Sequence, residues 1–467
     1  NDYCMKQLVF ALLIFINCQL ATAQYTKLVD MNGVETGAYP YHAEFYYDGS
    51  YLYGTTSNGG LTGHGIIFRL KTDGTAFSKI VDFEEAITGN SPKSGLISDG
   101  TYLYGTTSSG GPLGGGVIFK VKPDGSDFIL IHEFTGGDDG GNLKGKLFYD
   151  GTYLYGLSPY GGTNSAGMIY KLKPDGSEYA VIFSFDGEAT GVTPNGALVS
   201  DGTYLYGMAV SGGTAFLGAA FKVKKDGTGF VKIMDMLDDP NGAFGYGSLI
   251  YDGTYLYGMT NNGGEENRGT IFKMLTDGSG YQKLLDFNSD NGAQPLGSLI
   301  LDGTTLYGMA ELGGPDNFGF VFQIQTDGSD YQQLVDFNGA ENGSLPFGTL
   351  IMVNKALFGM TNSGGTSDAG VAFRYGEEEI PSAITSINNT SIEIMPNPNN
   401  GQFNLNIGNQ FQDEKFTLVI YNTMGQKVYA ANHFSSGKIT LNHSKPGIYI
   451  AQINSAIGNY TTQLVIE

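Results

Sequence analysis

The sequence lacks tryptophan, contains only two cysteines, and is poor in charged residues, which make up 15% of its 467 residues. No long tract rich in Ala, Glu, Lys or Leu is present, which excludes a coiled coil or a helical bundle. Lys and Arg total 25 against 46 Asp and Glu, giving a net charge of −21. Phosphate backbones repel such a surface, so nucleic acid is not an expected partner. A hydrophobic fraction of 41% excludes a disordered chain.

The N-terminal segment holds both cysteines, Cys4 and Cys18. Lys6, a short apolar run and an Ala-x-Ala exit ending at Ala23 predict a secretory signal peptide over residues 1–23, with Met5 as the start of translation. The alternative is a lipoprotein anchored through Cys18. Cleavage after Ala23 would leave a mature chain without cysteine, which excludes a thiol nucleophile. No other stretch approaches the ~20 apolar residues of a membrane helix.

Glycine, in contrast, is abundant, and its 72 residues follow a repeat. A Leu-Tyr-Gly or similar tripeptide recurs at intervals of 50 or 51 residues, ending at Gly54, Gly105, Gly156, Gly207, Gly258, Gly308 and Gly359. Each unit contains four short β-rich runs, here called strands a, b, c and d, separated by turn signals. Four strands in a unit of this length are typical of a β-propeller blade. The sequence therefore predicts an all-β, seven-bladed propeller over residues 24–376.

The two ends of the repeat array complement each other. The seventh copy stops after its strand c, Gly370–Tyr375, and no strand d follows. Tyr25–Met31, at the predicted mature N-terminus, resembles the strand d of the fifth copy, Tyr281–Phe287. Pairing this segment with the seventh copy would close the ring and leave no unpaired edge.

Asp-Gly dipeptides join strands a to b and strands c to d, where they supply the positive φ of tight hairpins. Their aspartates are Asp48, Asp99, Asp150, Asp201, Asp252 and Asp302 in the first set and Asp73, Asp124, Asp175, Asp226, Asp277 and Asp327 in the second. The b–c and d–a connections must lie at the opposite end of each blade. Because these connections differ between copies, we expect a binding site on their face of the propeller.

The repeat resembles the Gloeobacter–Verrucomicrobia ("GloVer") tandem repeat of secreted bacterial proteins. The resemblance lies in Leu103–Gly111, Gly116–Val121 and Asp124-Gly125, and in the corresponding residues of the other copies, over about Tyr25–Tyr375. It implies secretion and a repeated β fold, and it implies no particular activity.

Composition changes after Tyr375: residues 377–390 are predicted to be a linker and residues 391–467 a separate domain, expected to be a small β-sandwich. This tail resembles the type A C-terminal sorting domain of the type IX secretion system of Bacteroidota. The residues that carry the resemblance are Pro396, Asn397, Pro398, Gly401, Phe403, Tyr421, Gly425, Pro446, Gly447 and Tyr449. It implies the type IX secretion machinery as a partner and a location outside the cell or on its outer surface, reached through the periplasm.

Acidic and aromatic residues of the variable loops are the candidate ligand contacts, because carboxylates bind hydroxyls or cations and exposed rings stack on sugars. They are Glu84, Asp138, Asp239, Tyr160, Phe244, Tyr246 and Phe318. A calcium site is a further candidate, since Asp286, Asn288 and Asp290 place oxygen ligands at alternate positions. That loop has no evident bidentate glutamate, which favours a structural role for Asp286. No other cofactor is expected.

Two functions from different classes fit the sequence. The first is a non-catalytic module that binds a glycan or a protein outside the cell. The second is an extracellular polysaccharide hydrolase or lyase that uses two loop carboxylates as acid and base. A structural component of the surface layer is a third alternative. The five histidines lack metal-ligand spacing, and this scarcity favours binding over catalysis.

Overall fold

The computed structural model describes residues 23–288 and 290–376, together with the C-terminal segments 392–395, 402–407, 416–422, 427–434, 437–441, 447–455 and 458–466. The chain divides into two compact units, Asn1–Glu377 and Glu378–Glu467. Residues 1–22 of the predicted signal peptide and the whole predicted linker lie outside the described residues. No helix in the described part is long and apolar enough to cross a membrane.

The first unit contains seven four-stranded antiparallel sheets, as the seven sequence copies predict. In the first six sheets the strands follow chain order a, b, c, d. The first three are β2 (Tyr46–Tyr47), β3 (Leu52–Thr56), β4 (Ile66–Leu70) and β5 (Ser78–Asp82); β6 (Ile97–Ser98), β7 (Leu103–Thr106), β8 (Val117–Val121) and β9 (Ile129–Glu133); and β10 (Phe148–Tyr149), β11 (Leu154–Ser158), β12 (Met168–Leu172) and β13 (Ala180–Ser184).

The next three sheets repeat the pattern with longer inner strands in places. They are β14 (Val192–Ser200), β15 (Tyr204–Ser211), β16 (Ala219–Lys224) and β17 (Val231–Asp235); β18 (Ile250–Tyr251), β19 (Tyr255–Thr260), β20 (Thr270–Leu275) and β21 (Gln282–Asp286); and β22 (Ile300–Asp302), β23 (Thr305–Ala310), β24 (Phe320–Gln325) and β25 (Gln332–Asp336).

The seventh sheet takes its fourth strand from the other end of the repeat array. It contains β26 (Ile351–Val353), β27 (Ala356–Thr361) and β28 (Val371–Gly376), and the strand beside β28 is β1 (Gln24–Asp30). Tyr25 lies opposite Tyr375 in this antiparallel pair. The predicted pairing of the N-terminal segment with the last copy is therefore confirmed, and it leaves β28 with no free edge.

The glycine of each Leu-Tyr-Gly has a packing function rather than a turn function. A Cβ at Gly105 would lie 2.5 Å from Cζ of Phe119, which stands opposite it on the neighbouring strand β8. Phe119 is fully buried. The missing side chain thus provides the space for an aromatic ring on strand c, and the same pairing recurs in other sheets, for example between Gly258 and Phe272.

The Asp-Gly turns carry the predicted scaffold contacts. The Asp99 carboxylate accepts hydrogen bonds from the Thr101 and Tyr102 N–H groups at 2.8 Å each and from the Tyr104 hydroxyl at 2.7 Å. Four other sheets repeat this tyrosine–aspartate bond, at 2.7 to 3.2 Å. The strand tyrosines are therefore part of the scaffold, as their recurrence predicts.

Cations of strand c connect neighbouring sheets. Lys120 lies 5.1 Å from the ring centroid of Tyr102 in its own sheet and donates to the Pro174 carbonyl of the next sheet at 3.1 Å. Equivalent bonds run from Arg69 to Pro123, from Lys222 to Thr276 and from Lys273 to Thr326. Apolar side chains of adjacent sheets also share cores, so each repeat buries its surface against its neighbours.

The second unit has two sheets that share one core. One contains β29 (Ile392–Met395), β30 (Gln402–Ile407) and β33 (Gly437–Thr440); the other contains β31 (Phe416–Asn422), β32 (Lys427–Phe434), β34 (Gly447–Ser455) and β35 (Gly458–Ile466). Phe403 and Ile439 of the first sheet pack in the same buried cluster as Leu418, Ala451 and Leu464 of the second. This arrangement is the predicted small β-sandwich.

Candidate functional site

Two cavities lie along the inner edges of the sheets of the first unit. The upper cavity, of about 30 Å³, lies beside the residues that immediately precede strand a, and residues of all seven repeats line it. The lower cavity, of about 650 Å³, lies further along strand a in five of the repeats. Apolar and aromatic side chains dominate its wall, including Tyr46, Phe148 and Ile351. Because the variable d–a connections lead into strand a, the upper cavity lies at their end of the sheets.

A ring of seven equivalent residues lines the upper cavity. These ring residues, one from each repeat, are Glu44, Gly95, Lys146, Ala197, Ser248, Ser298 and Thr349. On one side of the ring, hydroxyl groups tie each repeat to the next. The Ala197 N–H donates to Ser248 Oγ at 2.7 Å, the Ser248 N–H to Ser298 Oγ at 2.7 Å, and the Ser298 N–H to Thr349 Oγ1 at 3.0 Å.

The opposite side of the ring carries an ion pair instead of hydroxyl ties. Lys146 Nζ of the third repeat lies 2.5 Å from Glu44 Oε1 of the first, so the pair passes over the second repeat. The second repeat contributes Gly95, where a Cβ would lie 2.9 Å from Cβ of Glu44 and 3.3 Å from Cδ of Lys146. The absence of a side chain at Gly95 thus leaves room for the ion pair.

Glycines one position before the ring residues bring neighbouring repeats into backbone contact. A Cβ at Gly145 would lie 1.6 Å from the carbonyl oxygen of Gly196, and one at Gly297 would lie 1.8 Å from that of Gly348. The contact continues to the first repeat, since a Cβ at Gly348 would lie 2.1 Å from the Ala43 carbonyl oxygen. Recurrence of glycine just before strand a was the sequence signal for this contact.

Basic residues surround the mouth of the upper cavity. His42, Lys93 and Lys144 occupy equivalent positions in the first, second and third repeats, each two places before the ring residue of its repeat. His42 and Lys144 line the cavity. Burial, together with the charges of Lys144 and Lys93, lowers the pKa of His42 to about 4. Burial and the charge of Lys144 also hold the pKa of Lys93 below its usual value. The two lysines thus make the site positive in a chain whose net charge is −21.

Aromatic rings complete this mouth. The ring of Tyr41 lies 4.5 Å from that of His42 and 5.2 Å from that of Phe347, centroid to centroid. Lys93 Nζ lies 5.5 Å from the Tyr41 centroid. Burial raises the pKa of Tyr41, and the nearby charge of Glu311 raises it further. Burial also raises the pKa of Glu311.

Exposed hydrophobic side chains of the first unit are concentrated at the same end of the sheets, a surface here called the loop face. Of the twelve large hydrophobic residues exposed in its described part, nine lie in b–c or d–a connections and three on strand d. The nine are Val34, Tyr39, Leu61, Ile87, Leu113, Tyr160, Phe216, Leu237 and Phe318. None lies in the Asp-Gly turns of the opposite face. The exposed apolar side chains of this unit therefore lie mainly on the loop face.

Comparison with known protein families identifies both units. Residues 14–216, 150–274 and 217–397 match the family described as the Gloeobacter/Verrucomicrobia repeat. The chain belongs to this repeat family. Residues 393–467 match the secretion system C-terminal sorting domain. This Gloeobacter/Verrucomicrobia repeat protein is therefore secreted or displayed on the cell surface, and its sorting domain interacts with the type IX secretion machinery.

Solved structures show similarity to the repeat protein in fold alone. An oligogalacturonate lyase in complex with manganese matches with a TM-score of 0.50 and 13% identity, over 77% of this chain and 99% of the lyase. The extracellular domain of a protein described as a hybrid two-component system of B. thetaiotaomicron matches with a TM-score of 0.53 and 10% identity, over 96% of this chain and 59% of that one. No curated protein sequence matches significantly. Together with the seven sheets, these matches indicate a propeller-like fold.

The loop residues predicted from the sequence of this repeat protein are dispersed. Only Tyr246 lines the upper cavity. Glu84, Asp138, Tyr160 and Phe318 are exposed in four different loops. Asp239 lies 3.6 Å from Lys283 Nζ and is mostly exposed, and Phe244 is half-buried. Their role in ligand binding stays a prediction. His42, Lys93 and Lys144 follow no recurring sequence pattern and are not among the predicted site residues.

Two of the oxygen atoms of the calcium candidate, Asp286 Oδ2 and Asn288 Oδ1, are engaged in local contacts. Asp286 pairs with Lys283 through Oδ2. Asn288 Oδ1 accepts hydrogen bonds from the N–H groups of Asp290 and Asn291, at 2.9 and 3.0 Å. Residue 289 of this loop lies outside the described residues. Elsewhere in the described chain, no three His, Cys, Asp or Glu side chains cluster as metal ligands would. The calcium site remains an untested prediction.

Asp286 also has equivalents at the ends of other d strands. Asp82 and Asp235 each pair with a lysine three residues earlier, and each accepts a backbone N–H bond from the glycine-rich b–c loop, at 2.9 and 2.8 Å. Oδ1 of Asp286 is buried beside Gly264 of the corresponding loop. These contacts agree with the strand-end role that the recurrence of this aspartate suggests.

The sorting motif is described only in part. Phe403, Tyr421, Gly447 and Tyr449 lie on β30, β31 and β34, and Phe403 and Tyr449 are buried in the core of the second unit. Pro396, Asn397, Pro398, Gly401, Gly425 and Pro446 lie outside the described residues. The two buried aromatic residues therefore stabilise the sorting domain itself.

Proposed function

We propose that the seven sheets form a closed seven-bladed propeller in which β1 supplies the outer strand of the last blade. Glu44 forms a parallel bridge with Thr349, which joins the first repeat to the seventh. Phe45 and Phe68 of the first sheet share a core with Phe358 and Ala372 of the last. The lining of the upper cavity by all seven repeats supports the same closure.

We infer that this propeller is an extracellular binding module whose ligand, a glycan or a protein, occupies the loop face. The observation that carries this function is the position of the exposed hydrophobic residues, nine of twelve on the loop face and none in the opposite turns. The opposite face repeats one Asp-Gly turn and offers little variety for recognition. The loop face combines variable side chains with a rigid scaffold, which is the usual arrangement of a binding site.

The alternative, a polysaccharide hydrolase or lyase, requires two carboxylates directed at one pocket. Glu44 is the one carboxylate among the residues that line the two cavities described above, and it is paired with Lys146. Burial raises the pKa of Glu311, as a general acid would need, yet Glu311 is not among the residues that line either cavity. These features favour binding over catalysis.

The proposed function can be tested on arrays of glycans and of extracellular proteins, probed with the full chain with and without calcium. Replacing Leu61 and Phe216 by serine should weaken binding, because both side chains are exposed on the loop face. The matched control replaces Ile129 and Val231, which are similarly apolar and exposed but lie on strand d. Release of sugar from a polysaccharide without binding on either array would favour the enzyme instead.

A further inference from the structure

Lys93 and Lys144 are two half-buried lysines at one cavity mouth, and neither has an acidic partner among the described residues. Among the described residues, neither takes part in an ion pair, and neither donates a side-chain hydrogen bond to the protein. The contact found for Lys93 is with the face of the Tyr41 ring, 5.5 Å from its centroid. Partial burial of two unpaired like charges in neighbouring repeats is unfavourable unless an anion compensates it.

The carboxylates near this mouth do not supply that anion. Glu44 is already bound to Lys146, 2.5 Å away. Glu311 lies close enough to Tyr41 to influence it, but burial disfavours its charged form. His42, which its lowered pKa keeps neutral near pH 7, lies beside the two lysines and supplies no negative charge. The mouth therefore holds positive charge that the described protein does not neutralise.

The size of the upper cavity limits what can enter it. About 30 Å³ exceeds the ~10–15 Å³ that one water molecule requires but is small beside a ligand pocket of ~300 Å³ or more, so a small group fits and a whole sugar ring does not. Tyr246, Asn195 and the ring hydroxyls add hydrogen-bonding groups to its wall. A carboxylate at the end of a larger ligand satisfies both the size and the charge.

The surrounding surface favours a glycan over a polypeptide as the bearer of that carboxylate. Tyr39, Tyr160, Phe216 and Phe318 are exposed on connections of four different repeats, so the rings are distributed singly around the loop face. A protein interface usually has a continuous apolar centre. Separate rings suit sugar units, whose apolar faces are small, while polar groups between them meet the hydroxyls.

We propose that the mouth of the upper cavity binds the carboxylate of a uronate-containing oligosaccharide, with Lys93 and Lys144 as its cationic contacts. This inference rests on the proposed function, because it names the ligand class of the loop face. The sugar units would lie over the loop face, with only the carboxylate entering the cavity.

The test compares matched ligands on the full chain by calorimetry. The probes are oligomers of glucuronate, galacturonate and mannuronate, each paired with the neutral oligosaccharide of the same length and linkage. At least one uronate oligomer should bind at least tenfold more tightly than its neutral partner, and 0.5 M salt should weaken binding because exposed charges are screened. Inorganic sulfate and a peptide with a free terminal carboxylate form the other arms.

Lys93→Gln/Lys144→Gln is the decisive variant, and it should lose at least tenfold in uronate affinity. The matched control is Lys71→Gln/Lys224→Gln, which removes two exposed lysines next to the c–d turns and should change affinity less than twofold. Lys93→Gln/Lys144→Gln should unfold at the same temperature as the wild type or higher, because it removes the repulsion between the two lysine charges. If it does not fold, Lys144→Gln alone replaces it.

Each remaining outcome overturns a defined statement. Three outcomes overturn the proposal that the ligand is a carboxylate-bearing glycan: unchanged uronate affinity in the lysine variant, equal affinity for the neutral oligomers, or preference for the peptide. Each of them leaves the proposed function as a binding module intact. Sulfate binding as tight as that of every uronate oligomer, with the same lysine dependence, shows a small-anion site and overturns the glycan assignment. Absence of any ligand on the glycan and protein arrays overturns the proposed function itself.

Discussion

The closest contacts between repeats predict that a single methyl group at Gly145 destabilises the first unit. The backbone at Gly145 does not have a positive φ, so alanine is conformationally allowed and would otherwise stabilise the protein by about 0.4–1 kcal/mol through the unfolded state. Its Cβ, however, would lie 1.6 Å from the Gly196 carbonyl oxygen. The obstacle is backbone, so two neighbouring repeats must separate by more than 1 Å.

Overpacking of this kind costs about 1–3 kcal/mol or more, and the rigidity of the ring places Gly145→Ala near the upper end, at ~3 kcal/mol. An unfolding entropy of about 2.1 cal/mol/K per residue gives ~0.7 kcal/mol/K for a unit of roughly 350 residues. The expected fall in Tm is therefore about 4 °C. Circular dichroism on heating and in urea measures it, since the chain has no tryptophan to report by fluorescence.

Gly137→Ala is the matched control for this substitution. Gly137 also lacks a positive φ, it is exposed, and its Cβ would meet only the Thr135 hydroxyl, at 3.3 Å. We expect its Tm to equal or slightly exceed that of the wild type. Equal Tm values for Gly145→Ala and Gly137→Ala would refute the argument that glycines at this position hold the repeats in backbone contact.

Three further predictions concern the scaffold. Tyr104→Phe should cost about 1–2 kcal/mol in urea unfolding because it removes a hydrogen bond to the Asp99 carboxylate; Tyr307→Phe should cost less, since the turn carboxylate of its sheet, Asp302, pairs with Lys355. Burial would raise the pKa of Asp99, but hydrogen bonds from Tyr104 and the turn N–H groups hold it below 3.8. Stability from Asp99 and its equivalents is therefore complete above about pH 4 and is lost as pH falls through the lowered pKa, so urea midpoints should be flat from pH 5 to 7 and fall below pH 4. Met31→Ala, in a fully buried residue just after β1, should cost about 2–5 kcal/mol, and an unchanged urea midpoint would contradict the role of this segment in the core.

The scaffold of the first unit was predictable from the sequence because its signals are local and repeated. Each repeat unit contains Leu-Tyr-Gly, Asp-Gly and four β-rich runs, and each of these motifs specifies the structure of a short piece of chain. Because the motifs recur at the same spacing in seven copies, their pattern is not a coincidence. The pairing of Tyr25–Met31 with β28 was predictable because the segment repeats a strand that the last copy lacks. Here local propensity and the tertiary arrangement agree.

The site was less predictable because its residues share no motif. Lys93 and Lys144 look like ordinary surface lysines in the sequence, and only the arrangement of the repeats brings them to one cavity mouth with His42. The predicted loop aromatics were identified by type, which cannot distinguish Tyr246, in the cavity wall, from Tyr160, exposed in a b–c loop.

The ring around the upper cavity is chemically divided, and the division indicates where recognition takes place. Repeats five to seven contribute Ser248, Ser298 and Thr349, whose hydroxyls accept backbone N–H bonds and are committed to joining repeats. Repeats one to three contribute an ion pair that passes over a glycine, and the unpaired lysines lie beside it. One side of the ring therefore joins repeats through neutral hydrogen bonds. The other side carries two lysine charges that no carboxylate of the described residues neutralises. A ligand that recognised features shared by all seven repeats would contact every side of the ring equally. A ligand recognised by its negative charge must lie over repeats one to three.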